Sequence, residues 1–246
     1  MYQSRFYRTW TKDKDLVSFS VAVKETDLYV RAKRNLRKKT LRAILKYRAP
    51  LELYIERHPE FLIALEPLTV ERNAPQIVKV MAKAAKDVGV GPMAAVAGAI
   101  AECVGKELLA FSEEVIVENG GDIFLKTLKR RLVGVYAGDN SPFTGKIALE
   151  IQPEETPLGV CTSAGTVGHS LSFGKADACI VLSTSTALAD AAATALGNLI
   201  QEASDIPQAT DFASRTEGIR GVVVIKDDHM GIWGQVKVVP VDAEPM

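Results

Sequence analysis

The sequence predicts an α+β fold, in which mixed or antiparallel sheets pack against helices. Short runs rich in Val, Ile and Leu, typical of strands, recur along the chain and are interrupted by alanine-rich segments typical of helices. Strands and helices come in clusters and not in strict alternation, which favours α+β over a doubly wound parallel sheet. No fixed-period repeat or low-complexity linker divides the chain. We therefore expect one domain over residues 1–246, with an N-terminal hairpin and basic helix (about residues 1–70) as a subregion.

The amino-acid composition excludes several classes of protein. The 246 residues are 47% hydrophobic and 24% charged, which excludes a disordered or fibrous protein. Lys and Arg total 30 and Asp and Glu total 30, so no net charge favours binding to nucleic acid or to an anionic membrane. Cys103, Cys161 and Cys179 lack disulfide-framework or CxxC spacing. The N-terminus has no apolar leader, and the apolar window 89–101 is too short to cross a bilayer, so we expect a cytoplasmic protein.

The first 70 residues predict a hairpin followed by a basic helix. Leu16–Val23 and Thr26–Val30 are the expected strands. Arg31–Arg48 holds nine basic residues and no acid, and Pro50 limits its extension. The apolar side of this helix consists of Leu36, Leu41, Ile44 and Leu45. The positive side is either a solvated face balanced by acids elsewhere, or a surface for a phosphate-bearing or acidic partner.

The remaining elements follow from periodicity and from turn residues. Helices are expected over 74–87, from Pro92 to about 109, and over about 187–201. Strands are expected over 131–137, 146–151, 159–163, 178–183, 220–226 and 230–239.

Three segments carry candidate chemistry. The first, Gly89 to Ala94, matches G-x-G-x-x-A, and Glu118 follows 29 residues after Gly89. A dinucleotide fingerprint needs a strand running into the first glycine, whereas residues 81–87 predict a helix, so the context argues against it. The glycines before a helix start remain able to hold an anion on free amides.

The second segment is the helix containing Asp190 and Thr194. These residues are four apart, so their oxygens lie on one helix face. A carboxylate, a hydroxyl and a nearby carbonyl suit Mg²⁺. The alternative is that alanine simply favours helix and that one Asp near a helix start is stabilising without a metal.

The third segment is Asn119-Gly120-Gly121-Asp122, between two apolar runs. Asn-Gly favours a hairpin turn, and the paired glycines would let a ligand approach the backbone closely. A second polar loop, 162–170, follows a strand. The three histidines are scattered, so no Ser/His/Asp triad can be assembled; they are His58, His169 and His229.

The order of these pieces resembles the ApbE superfamily, and the chain is most similar to the uncharacterised protein family beside the flavin transferases. The segments that carry the resemblance are Gly91–Ala95, Val117–Ile123, Cys161–Gly165 and Ala189–Leu196. The resemblance implies a T-fold-like α+β structure. It also implies the superfamily's activity, the Mg²⁺-dependent transfer of FMN from FAD to a threonine of a partner protein.

The resemblance further implies which residues form the site. Asp190, Thr194 and the carbonyl of Ala94 would be metal ligands. The expected pocket for a nucleotide or flavin (FAD or FMN) is lined by Asn119, Gly120, Gly121, Asp122, Ser163 and Gly165. Where the transferases carry Gly-Gly-Ile-Ala-Lys-Gly, this chain has 91–96 without the lysine, and their His-x-x-Asp-Pro-x-Thr-Gly segment has no counterpart. Two alternatives therefore remain: the scaffold retains the transfer activity, or that activity is altered or lost. No catalytic residue is assigned.

Two other hypotheses belong to different classes. One is a thiol-dependent role in sulfur handling at Cys161 or Cys179, because Cys161 ends a strand beside the polar loop. The other is a non-catalytic binding module that uses the basic helix. It would dock an acidic or phosphate-rich partner on Arg34, Arg37, Lys38 and Arg42.

Overall fold

The computed structural model describes residues 15–165 and 173–241. An eight-stranded sheet in the order β1-β2-β3-β4-β7-β8-β9-β10 and a three-stranded sheet in the order β11-β6-β5 run antiparallel throughout. The strands are β1 Val17–Val23, β2 Thr26–Ala32, β3 Val115–Asn119, β4 Asp122–Lys126, β5 Arg131–Gly134, β6 Ile147–Ile151, β7 Leu158–Ser163, β8 Ala178–Ser183, β9 Ile219–Lys226, β10 His229–Gly234 and β11 Val238–Pro240. The predicted α+β class is confirmed.

Helices lie on one face of the large sheet. They are α1 Arg37–Arg57, α2 Glu60–Ile63, α3 Gln76–Val88, α4 Val96–Leu108, α5 Thr186–Leu199 and α6 Ile206–Arg215, and a 3-10 turn, Pro92–Ala95, directly precedes α4. In the described ranges, no single helix has the length and apolar character to span a membrane. Two consecutive helical segments bent by 106°, 76–88 and 92–108, reach that length and composition only together.

Side chains alternate between the two faces of each strand, and this alternation builds two separate cores. On β3 and β4, Val117 and Phe124 face the helices, whereas Ile116 and Leu125 face the small sheet. The helical layer is packed closely enough to require glycine: a Cβ at Gly105 would lie 2.1 Å from the Phe124 ring. The sheet therefore fixes the position of α4 against β4, next to the candidate site.

The basic helix differs from its prediction in both bounds. It begins at Arg37, because Arg31 belongs to β2, and it continues through Pro50 to Arg57. Leu51 and Tyr54 extend its buried face beyond the proline, so tertiary packing outweighs the one missing backbone donor. Leu41 and Leu45, expected on the buried face, are exposed.

The structure differs from the predicted secondary structure at two places in the last 45 residues. The strand expected over 230–239 is two strands, and Gly234 (φ 83°) turns the chain from the large sheet into the small one. Helix α6 was not predicted from the sequence. Its buried residues Ile206, Ala209 and Ala213 repeat at spacings of three and four, a helical signal that could have revealed it.

Candidate functional site

The Asn119–Asp122 turn closes a hairpin between β3 and β4, as one of the two interpretations of the motif predicted. Gly120 (φ 70°) and Gly121 (φ 108°) both lie in the left-handed region, which a two-residue hairpin turn of this type requires. Asn119 and Asp122 are paired across the hairpin and both are buried. The glycines thus place two polar side chains at the end of the sheet, on the face covered by helices.

Asn119 connects this turn to the start of α4. Its Nδ2 donates a hydrogen bond of 3.1 Å to the carbonyl oxygen of Ala97, in the first turn of the helix. The hairpin end and the helix start are therefore held together, and the 3-10 turn that contains Ala94 immediately precedes this contact.

Asp190 reaches the same place from α5. The Gly98 amide N–H donates to Asp190 Oδ2 at 2.8 Å, and the Ala97 amide donates to the same carboxylate. These are amides of the first turn of α4, which have no partner within their own helix. Asp190 therefore caps α4 from outside, and its partly buried side chain lies near Asp122 of the glycine hairpin.

The environment of Asp190 opposes the ionisation of its carboxyl group. Burial raises the pKa of Asp190 well above its ordinary value, and the nearby charge of Asp122 raises it further, while the amides of Gly98 and Ala97 only partly offset these effects. Two carboxyl groups that share a small buried volume favour the binding of a proton or a cation.

Cys161 lies in the same cluster, and its environment removes the basis of the thiol hypothesis. The thiol is fully buried, and its Sγ donates to the Thr186 carbonyl at 3.4 Å. Burial, followed by the charges of Asp122 and Asp190, raises the pKa of Cys161 well above its ordinary value. Burial raises the pKa of Cys179 to about 12. Neither thiol is poised to form a thiolate at neutral pH.

Thr194 lies one turn after Asp190 on α5 and is half-buried. The 3-10 turn Pro92–Ala95 packs against α5, so Ala94 and Thr194 belong to neighbouring elements. The structure therefore places the three predicted metal ligands on two adjoining segments, beside the hairpin end that holds Asp122.

Ser163 is the last residue of β7, and Gly165 follows two residues later, next to the hairpin. Ser163 is buried opposite Cys179, and the Gly165 amide donates to the Ala176 carbonyl at 2.8 Å. A Cβ at Gly165 would lie 2.0 Å from the carbonyl oxygen of Gly174, so a close backbone crossing explains this glycine. The rest of the polar loop, including His169, lies outside the described residues.

Two residues of α4 that the sequence analysis did not single out also organise the site. A Cβ at Gly98 would lie 2.4 Å from the Thr186 carbonyl oxygen and 2.7 Å from Asp190 Cβ, so only glycine lets α4 and α5 approach this closely. Glu102, one turn later, accepts hydrogen bonds from the Ser185 hydroxyl (3.4 Å) and the Ala187 amide (3.2 Å). Each helix thus has its first turn capped by a carboxylate of the other. In the sequence, the four-residue spacing of Gly98 and Glu102 already predicts that both lie on one face of the helix.

The possible metal ligands at the hairpin end are mostly oxygen atoms. Across residues 15–165 and 173–241, no group of three or more His, Cys, Asp or Glu side chains is arranged to hold a metal ion. Two carboxylates, together with a hydroxyl (Thr194) and a carbonyl (Ala94) on the adjoining segments, are donor types that Mg²⁺ accepts when a substrate phosphate and water complete its shell. The residues present therefore fit the implied metal.

A groove of about 770 Å³ lies elsewhere, between α3, α5 and α6. None of the residues predicted for the site lines it. Its cations are already paired, since Lys83 contacts Asp87 and Arg215 contacts Asp211. We therefore place the candidate site at the hairpin end and not in this groove.

Some cations of the basic segment pair with acids and others are exposed, so both interpretations of that segment stay predictions. Lys33 pairs with Glu114 at 3.0 Å and Lys46 with Glu107 at 2.7 Å. Arg48 contacts both Glu25 and Glu52, and Arg34 donates from Nε to the Phe111 carbonyl at 2.8 Å. The remaining cations named in the docking hypothesis, Arg37, Lys38 and Arg42, are exposed.

Known structures share this architecture. The apo flavinyl transferase ApbE of Pseudomonas stutzeri is 13% identical, with a TM-score of 0.53 over 89% of this chain and 94% of that chain. The ApbE protein of Thermotoga maritima is 12% identical, with a TM-score of 0.51 over 85% of this chain and 94% of that chain. At this identity the likeness establishes the fold, which is that of the ApbE proteins.

The sequence relatives define the family. The family profile described as "AbpE bacteria" matches residues 8–228. The UPF0280 protein of Methanocaldococcus jannaschii is 44% identical over 222 residues, which cover 88% of this chain and 90% of that protein. The UPF0280 protein of Methanopyrus kandleri is 41% identical over 227 residues, which cover 89% of this chain and 91% of that protein. The chain belongs to this ApbE-like family, in its UPF0280 branch.

Proposed function

We propose that this protein binds a flavin or another pyrophosphate-containing nucleotide together with Mg²⁺ at the hairpin end of the large sheet. The observation that carries the proposal is the proximity of Asp122 and Asp190: burial raises the pKa of Asp190, and the nearby charge of Asp122 raises it further. A divalent cation relieves this repulsion, and a pyrophosphate group supplies the oxygen ligands that the protein does not.

Each predicted residue has a role in this arrangement. Asp190, Thr194 and the carbonyl of Ala94 hold the metal, and Asp122 adds negative charge beside it. Asn119 is fixed by its bond to Ala97 and keeps the hairpin against α4. Gly120 and Gly121 carry no side chain that would keep the ligand from the turn. In the rest of the pocket, Ser163 and Gly165 border the ligand from β7.

Mg²⁺ would stabilise the charge on the pyrophosphate, which is what an exchange of the phosphoryl bond requires. Two solved neighbours with this fold are named flavinyl or flavin transferases. Transfer of FMN to a protein acceptor is the activity we assign if turnover is retained. The absence of a lysine from 91–96 makes binding the first property to test. We further propose that the protein acts in the cytoplasm, where free thiols persist.

Calorimetric titration of FAD, FMN and ADP, with Mg²⁺ and with EDTA, tests the proposal. We expect FAD and ADP to bind only with Mg²⁺, and FMN to bind more weakly because it lacks the pyrophosphate. Asp190→Asn should weaken the Mg²⁺-dependent binding of FAD at least about tenfold, which corresponds to about 1.4 kcal/mol.

Asp211→Asn, on the exposed face of another helix, is the matched control and should bind as the parent does. Failure of all three nucleotides to bind, or equal binding by the Asp190→Asn and parent proteins, would refute the proposal.

A further inference from the structure

The outward face of α1 carries a continuous apolar ridge. Leu41, Leu45, Ala49 and Leu53 follow one another at four-residue spacing, so each contacts the next on the helix surface. The leucines are 41%, 49% and 47% exposed, respectively, and Ala49 is also exposed. The ridge is roughly 18 Å long at 1.5 Å per residue. Single exposed leucines are common, whereas a contiguous apolar strip on a charged helix is typical of an interaction surface.

On the face of α1 that carries this ridge, the two residues that border its ends are opposite in charge. Lys38 lies one turn before Leu41, and Glu56 lies one turn after Leu53; both are exposed. A second α1 helix laid antiparallel on the ridge, with a two-fold axis near Tyr47, sets Leu41 against Leu53 of the other copy. The same arrangement sets Lys38 against Glu56 at both ends. A parallel arrangement would place like charges together.

We propose that two copies of this chain pair through α1, antiparallel about a two-fold axis near residue 47. An isologous interface needs a surface that complements itself after a two-fold rotation, and the order cation, apolar ridge, anion meets this condition. Ridges of four-residue spacing interdigitate at a crossing angle of about −50°. The change of sign along the ridge, from Lys38 to Glu56, complements a second copy of this chain and not a uniformly anionic surface.

One helix face from each copy buries less than the roughly 1,200 Å² typical of stable complexes. The dimer is therefore weak and depends on protein concentration, with a dissociation constant in the micromolar range. This interface is independent of the proposed nucleotide site, because α1 contributes none of its residues.

Sedimentation velocity of the full chain, from about 1 to about 200 µM, tests the proposal. The parent should shift from monomer to dimer across this range. Leu45→Glu puts a charge at the centre of the ridge and should keep the protein monomeric, because that charge would be buried in the dimer. Leu128→Glu, at a leucine that is 50% exposed outside α1, is the matched control and should dimerise as the parent does.

Charge reversal tests the antiparallel order itself. Lys38→Glu and Glu56→Lys should each weaken the dimer at least about threefold, because each creates two repulsive pairs, and the double variant should restore it. The proposal is overturned if the parent protein stays monomeric at every concentration tested, whether or not it sediments with anionic vesicles. A dimer unaffected by Leu45→Glu, or one that the double variant does not restore, overturns it as well. Nucleotide binding by the monomeric variant is a separate readout, so failure here is distinguishable from failure of the proposed function.

Discussion

The two ends of the β3–β4 hairpin both hold buried carboxylates, but in opposite electrostatic environments. At the open end, Glu114 directly precedes β3 and is fully buried. Arg131 and Lys33 both contact it, and Arg131 Nη1 also reaches Asp15 Oδ1 at 2.8 Å. Burial alone would raise the pKa of Glu114, but its hydrogen bonds to Arg131 and Lys33 outweigh burial and lower it.

At the turn end, burial raises the pKa of Asp190, and the nearby negative charge of Asp122 raises it further. The same hairpin thus has one end where charges are compensated by the protein and one end where like charges are brought together. Buried charges that are paired with opposite charges belong to the structural framework of a protein. Like charges held close together reduce stability, and they persist where a ligand supplies the opposite charge. This contrast is why we assign structure to one end and binding to the other.

The largest effect should come from removing the cation at the open end. Arg131→Met leaves the buried Glu114 without its main partner, and we expect a loss of about 3–5 kcal/mol in the free energy of unfolding. Urea denaturation at neutral pH measures it. Arg215→Met, whose ion pair with Asp211 is exposed, should lose less than about 1 kcal/mol. Similar losses in the two variants would contradict the structural role of the open end.

An intermediate effect should follow from separating α4 and α5 at the turn end. Gly98→Ala inserts a methyl group where the Thr186 carbonyl and Asp190 lie, and we expect a loss of about 1–3 kcal/mol together with weakened Mg²⁺-dependent nucleotide binding. Gly105→Ala, on the same helix against the Phe124 ring, should cost similar stability yet leave binding intact. If both variants bind as the parent does, Gly98 does not position Asp190.

The smallest effect should be a gain in stability. Asp190→Asn removes the repulsion at the turn end, so the free energy of unfolding without Mg²⁺ should rise by about 1 kcal/mol at neutral pH. A carboxyl group whose pKa is raised by folding opposes folding increasingly as pH rises above its ordinary value. The gain should therefore be near zero at about pH 4 and grow toward about pH 8.

Glu114→Gln should show the opposite trend. Because folding lowers the pKa of Glu114, its stabilising contribution is present above the ordinary pKa and disappears as pH falls through the lowered value. The stability lost in Glu114→Gln should thus shrink on acidification. Urea midpoints measured across this pH range check both trends, and parallel pH profiles for the two variants would contradict the comparison.

Particular residues show how far sequence reasoning reached. The Asn-Gly-Gly-Asp turn was predictable because two adjacent glycines between apolar runs supply the positive φ angles of a tight hairpin. Strand β8 matches its predicted bounds, 178–183, because buried β-branched runs are a local signal. Leu41 and Leu45 were assigned to the wrong face, because nothing in their spacing says which side of a helix meets the sheet.

The sequence alone determined the α+β class, the hairpin turn, and the presence of a carboxylate and a hydroxyl one helical turn apart. These depend on local propensity and spacing, which every segment carries by itself. Only the tertiary structure brought Asp122 and Asp190 together and gave Gly98 and Glu102 their roles in capping and close packing. Contacts between residues about 70–90 positions apart in the chain depend on how the sheet and the helices stack, and no local pattern encodes that arrangement.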